Sequence, residues 1–123
     1  MSMAARVLVV DNHDDIRRLF MVWLEGEDGL KVVGGARDGT EAVGLLAESP
    51  AEVVLLDLDM PDAQAVAAIR AVKKAFPDVR IVGMSWDHSA ERTAKMLDAG
   101  ARMMFDKASK LEGLVRVIQK CME

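Results

Sequence analysis

Short apolar runs alternate with amphipathic stretches five times along this chain, and no other feature limits its fold so narrowly. An uninterrupted run of branched apolar residues suits a strand buried on both faces, whereas apolar residues three and four apart suit a helix covering such a sheet. Repeated βα units of this kind predict an α/β domain, a five-stranded parallel sheet with helices on both faces. The predicted strands are Val7–Val10, Leu30–Val33, Val53–Leu56, Arg80–Met84 and Arg102–Phe105. A length of 123 residues fits one domain over 1–123, and 51% hydrophobic residues can supply its core. Met1 to Ala5 read as a frayed terminus or a cloning remnant.

The helices follow from periodicity and capping. The first turns Ile16, Leu19, Phe20, Trp23 and Leu24 inward and leaves Arg17, Arg18 and Glu25 outside. Asp38 and Glu41 form a capping box that opens the second, which Ser49-Pro50 closes. The third runs from about Ala65 to Ala75, with Val66, Ile69, Val72 and Phe76 inward, and stops at Pro77. A fourth starts near Ser89 and ends at Gly100, read as a left-handed residue. Ser109 and Glu112 open the fifth, which buries Leu111, Leu114, Val115, Ile118 and Met122.

Acidic residues number 20 against 16 Lys and Arg, a net charge of −4 with no basic block, so the domain itself is not expected to bind nucleic acid. The single cysteine, Cys121, cannot form an internal disulfide. With no signal-peptide pattern and no long apolar run, the expected location is the cytoplasm, without membrane association.

In an open parallel sheet, ligands bind beyond the carboxyl ends of the strands. Asp11-Asn12-His13-Asp14-Asp15 follows the first strand and Asp57-Leu58-Asp59-Met60-Pro61 follows the third. If those strands are neighbours, Asp11 and Asp57 meet, and two crowded carboxylates invite a hard divalent cation. Ser85 follows the fourth strand and Lys107 the fifth. Acid, acid, hydroxyl and ammonium at successive strand ends suit a phosphoryl group: a carboxylate attacks phosphorus, while a metal and a lysine neutralise its oxygens. His13 and His88 are further metal or proton-transfer candidates.

At these residues the chain resembles the receiver domain of two-component response regulators over nearly its whole length. The resemblance rests on Val7-Leu8-Val9-Val10-Asp11-Asn12-His13, Val53-Val54-Leu55-Leu56-Asp57-Leu58-Asp59-Met60-Pro61, Ser85, and Ala99-Gly100-Ala101 leading to Lys107. His13 and the segment from Val33 to Gly39 are most similar to receivers that precede helix-turn-helix output domains. The resemblance implies a flavodoxin-like sheet of order 2-1-3-4-5. It implies that Asp57 is the phospho-acceptor, supplied by a sensor histidine kinase or phosphotransfer protein. Asp11 would hold Mg²⁺, Asp59 would offer its backbone carbonyl, Ser85 would be the switch hydroxyl and Lys107 would contact the phosphoryl group.

Five positions depart from that pattern. Asn12 stands where a second acid is usual, which weakens the pull on Mg²⁺, though its amide oxygen can still ligate. Asp14 or Asp15 would compensate or else cap the first helix. Trp86 replaces a small residue after the switch hydroxyl, either as a lid or as a partner contact. Met104 takes the aromatic switch position, Ala108 that of a proline, and Ala65 that of a glycine. Asn12, Trp86 and Met104 motivate an alternative, a degenerate receiver that binds a protein without phosphorylation. A phosphatase of the haloacid-dehalogenase kind is a poor third, because Met60-Pro61 does not match it. Since the fifth helix runs to Glu123, output is expected through a protein target or a homodimer on the helix 4, strand 5 and helix 5 face, whether the receiver stands alone or is excised.

Overall fold

A computed structural model describes residues 4–123. Ten elements alternate along it: β1 (Ala5–Val10), α1 (Asp14–Glu25), β2 (Leu30–Ala36), α2 (Gly39–Glu48), β3 (Val53–Asp57), α3 (Asp62–Ala75), β4 (Arg80–Ser85), α4 (Ala90–Ala99), β5 (Met103–Asp106) and α5 (Leu111–Cys121). The strands form one parallel sheet in the order β2-β1-β3-β4-β5, as the family resemblance implied. Alternate strand residues feed two separate cores. Leu8, Val54, Leu56 and Ile81 pack with Ile69 and Met96 on one face; Val7, Val9, Leu55 and Val82 pack with Leu24, Leu114 and Ile118 on the other. Met104 joins the first core and Phe105 the second, so neighbours in β5 do face opposite ways.

Asp38 accepts the Glu41 N–H at 2.9 Å and caps α2, and Ser49 ends it. Gly100 ends α4 at φ 129°, a conformation that disfavours any side chain.

Four expectations need correction. Ala5 is not frayed: it is buried in β1, where its N–H reaches Gly29 O at 2.8 Å; residues 1–3 lie outside the described part. Ile16 and Leu19 are exposed, at 40% and 59%, because they border the open cavity at the strand ends rather than the core. Arg17 is turned inward instead, donating to Asp11 O and Asp14 Oδ1, both at 2.8 Å. Helix α5 has no Ser109 cap: Ser109 N–H and Ala108 N–H both turn back onto Asp106, which moves the helix start to Lys110, whose side chain does not cap.

Strand register sets the candidate site. Val10 is paired with Leu56, Asp57 with Met84, and Ser85 with Asp106. The residues Asp11, Asp57, Ser85 and Lys107 therefore stand at four adjacent strand ends along one edge.

Candidate functional site

Asp11 is 1% exposed and Asp57 4%. The Asp11 backbone N–H is held by Ala36 O, and its Oδ1 accepts the His13 N–H at 2.8 Å with the His13 Nδ1 at 3.1 Å. Its Oδ2 is buried and has no hydrogen-bond partner among the described residues. Such an orphaned carboxylate oxygen is costly unless something cationic meets it. Ligand atoms of Asp11, His13 and Asp57 lie within 4.8 Å of one another, and this oxygen-rich donor set fits a hard divalent cation. Asn12 is exposed beside a hollow of about 300 Å³ that Asp11, Asp57 and Asp59 share. Asp14 lies apart from this group, paired with Arg17, which holds its carboxyl below the usual range.

Lys107 crosses the site from the β5 side, its N–H anchored to Ser85 O at 3.0 Å. Its Nζ donates to Asp57 Oδ1 and to Asp59 Oδ2, both at 2.8 Å. Burial raises the pKa of Asp57; the Lys107 ammonium and the Asp59 N–H oppose that rise, while Asp11 adds to it. Burial also works against the charge on Lys107, but its two carboxylates outweigh it and raise its pKa. For Asp59 burial is outweighed by Lys107, the Trp86 N–H and the Ser85 hydroxyl, so its pKa falls.

The Asp59 side chain is more engaged than a carbonyl-only role would require. Its Oδ1 accepts from Ser85 Oγ at 2.9 Å and from Trp86 N–H at 3.0 Å. Arg92, which sequence reasoning missed, is 7% exposed and donates to Ser85 Oγ and Asp62 Oδ1 at 2.9 Å, and to the Leu58 and Met60 carbonyls. The clue was its position four residues before Met96, on the buried face of α4.

Trp86 is 64% exposed yet borders a cavity of about 410 Å³ whose floor is Asp57 and Lys107 and whose wall is His13, Ile16, Leu19 and Phe20. His88 stays outside, with Nε2 3.3 Å from Asp106 Oδ2. Chemically, the assembly offers a buried Asp57 carboxylate that borders two adjoining hollows, with the partnerless Asp11 carboxylate oxygen on one side, the fixed Lys107 ammonium on the other, and the Ser85 hydroxyl at the neighbouring strand end.

The chain is 34% identical to response regulator GacA of Pseudomonas viridiflava, over 93% of its own length and 53% of that protein. It thus spans about half the length of the curated relatives it matches. A two-component response regulator of the LuxR family from Aurantimonas sp. SI85-9A1 superposes with a TM-score of 0.86 at 28% identity, covering 95% of this chain and 84% of that one. For the signal receiver domain of the putative response regulator NarL from Mycobacterium tuberculosis the TM-score is 0.85 at 27% identity, with 97% and 96% covered. Residues 7–119 match the family model of the response regulator receiver domain, and the chain belongs to that family.

Proposed function

We propose that this chain takes a phosphoryl group onto Asp57 from a histidine kinase or a phosphotransfer protein and signals by a conformational change. Receiver domains are signalling domains that bind Mg²⁺ at an acidic pocket and interact with histidine kinases. The observation that carries the reading is the Asp57 carboxylate, buried yet bordering both hollows, with the Lys107 ammonium at 2.8 Å and the partnerless Asp11 Oδ2 nearby.

Asp11, Asp57 and the Asp59 carbonyl would hold Mg²⁺, with Asn12 or His13 completing the set. When bound, the ion neutralises charge on the phosphoryl oxygens. An Asp57 oxygen attacks phosphorus, the P–N bond of the donor phosphohistidine breaks, and the leaving imidazole takes up a proton. Lys107 steadies the equatorial oxygens, and Ser85 donates to one of them after transfer. Signal output then depends on the β4–α4 region, through a protein target or a second copy on the α4-β5-α5 face. No helix among the described residues is long and apolar enough to cross a membrane, and a cytoplasmic site of action is part of this proposal.

The test is a Mg²⁺-dependent mobility shift on phosphate-affinity gels with a small phosphodonor. The shift is expected in the native chain and absent in Asp57→Asn. A native chain that no donor shifts would instead support a phosphorylation-independent binding module, a reading that Asn12 and the exposed Trp86 favour.

A further inference from the structure

We propose that Asp59 and Arg92 form a latch on Ser85, which an anion on Asp57 must displace, and that Arg92 carries the displacement into α4. This rests on the reading of Asp57 as phospho-acceptor.

A serine hydroxyl has one proton and two lone pairs. Ser85 gives its proton to Asp59 Oδ1 at 2.9 Å and accepts from Arg92 Nη1 at 2.9 Å and Asp87 N–H at 3.1 Å, so its capacity is filled. Lys107 directs Nζ to Asp59 as well as to Asp57. The Asp59 carboxylate thus collects a hydroxyl, a backbone N–H and an ammonium, a donor set that equally suits phosphoryl oxygens. An anion on Asp57 can use the single Ser85 proton only by taking it from Asp59, whereas Lys107 has a third N–H to offer it, and the anion's charge repels the Asp59 carboxylate.

Arg92 links this exchange to the rest of the molecule. It stands in the first turn of α4, its N–H capped by Ser89 Oγ at 3.3 Å. The guanidinium is buried, with Nη2 on the Leu58 and Met60 carbonyls at 2.6 and 2.9 Å and Nε on Asp62 at 2.9 Å. Only the Nη1 contact goes to a group that has reason to move. When Ser85 turns to the anion, a buried N–H loses its acceptor, and the start of α4 must shift to satisfy it.

Fluoroberyllate, a phosphoryl mimic, is titrated into the full chain at saturating Mg²⁺ while backbone amides are followed by NMR. Asp59→Asn keeps the shape but removes the competing charge, and is expected to bind the mimic about tenfold more tightly than the native chain. Equal affinity in the two overturns the latch and leaves the acceptor reading standing; no binding in either overturns both. Arg92→Lys keeps the charge but loses the fork, and should bind the mimic within about threefold of native while the shifts of residues 90–99 fall by half or more. An undiminished α4 response overturns the role of Arg92. If Arg92→Lys does not fold, Ser85→Ala decides: without any mimic, its α4 amides should already move toward the positions of the mimic-bound native chain, and amides that stay put overturn the proposal.

Discussion

The Lys107 ammonium lies 2.8 Å from Asp57 Oδ1 across 50 residues of sequence, and both side chains are at least nine-tenths buried. Removing the cation strands the Asp57 carboxylate beside Asp11. Lys107→Met is expected to lower stability at pH 7 by about 2 kcal/mol, the scale of a buried hydrogen bond to a charged group. The loss should shrink as the pH falls, because a protonated Asp57 needs no cation. Urea unfolding of both chains at several pH values measures this.

Asp57→Asn should stabilise the protein at neutral pH. The native carboxyl has its pKa raised above 3.8 by burial, so the folded state binds its proton more tightly than the unfolded chain does. Stability from that group is present at low pH and is lost as pH rises through the raised value. The asparagine chain is therefore expected to melt higher at pH 7, with the gap closing as the pH falls toward 3.8. Calorimetry across that window gives the answer; a constant gap would refute the argument.

Replacing the amide of Asn12 by a carboxylate adds a formal charge at the proposed metal pocket. Asn12→Asp is expected to bind Mg²⁺ about tenfold more tightly, since an added carboxylate is a stronger ligand than an amide for a hard cation. Titration followed by tryptophan emission reports it, because Trp86 borders the adjoining cavity, which shares Asp57 and Asp59 with that pocket.

Gly83 in β4 leaves space that its neighbours use. A Cβ there would stand 2.5 Å from Leu58 Cδ1 and 2.6 Å from Met104 Sδ. Both are side-chain ends that can give way, so Gly83→Ala should cost about 1–2 kcal/mol rather than unfold the protein. Chemical denaturation measures the cost, and a neutral result would show the two side chains to be freely movable.

Leu19→Glu is expected to change stability by no more than about 0.5 kcal/mol, the usual range for a surface position. A helix stripe read from spacing alone predicts several times that loss. Thermal melts of the two chains discriminate.

Much of the site could be read along the chain because a parallel βα repeat sends every strand's carboxyl end to one edge. Asp11, Asp57, Ser85 and Lys107 each follow an apolar run, and the register brings those four runs into adjacency. Local capping was legible at Asp38 for the same reason: its partner is three residues away. At Ser109 a local pattern misled, since Asp106 claimed the turn first.

The layering of helices on the sheet, the two strand faces and the polar residues at the candidate site's edge follow from periods of 2 and 3.6 residues and from chain direction, all of which are local properties of the chain. Where those side chains turn is set by long-range packing. Asp59 reaches Ser85 across 26 residues, Arg92 reaches Leu58 O across 34, and Ile16 and Leu19 border the open cavity at the strand ends. Each of these outcomes depends on atoms from distant segments, whose positions exist only after the sheet has formed.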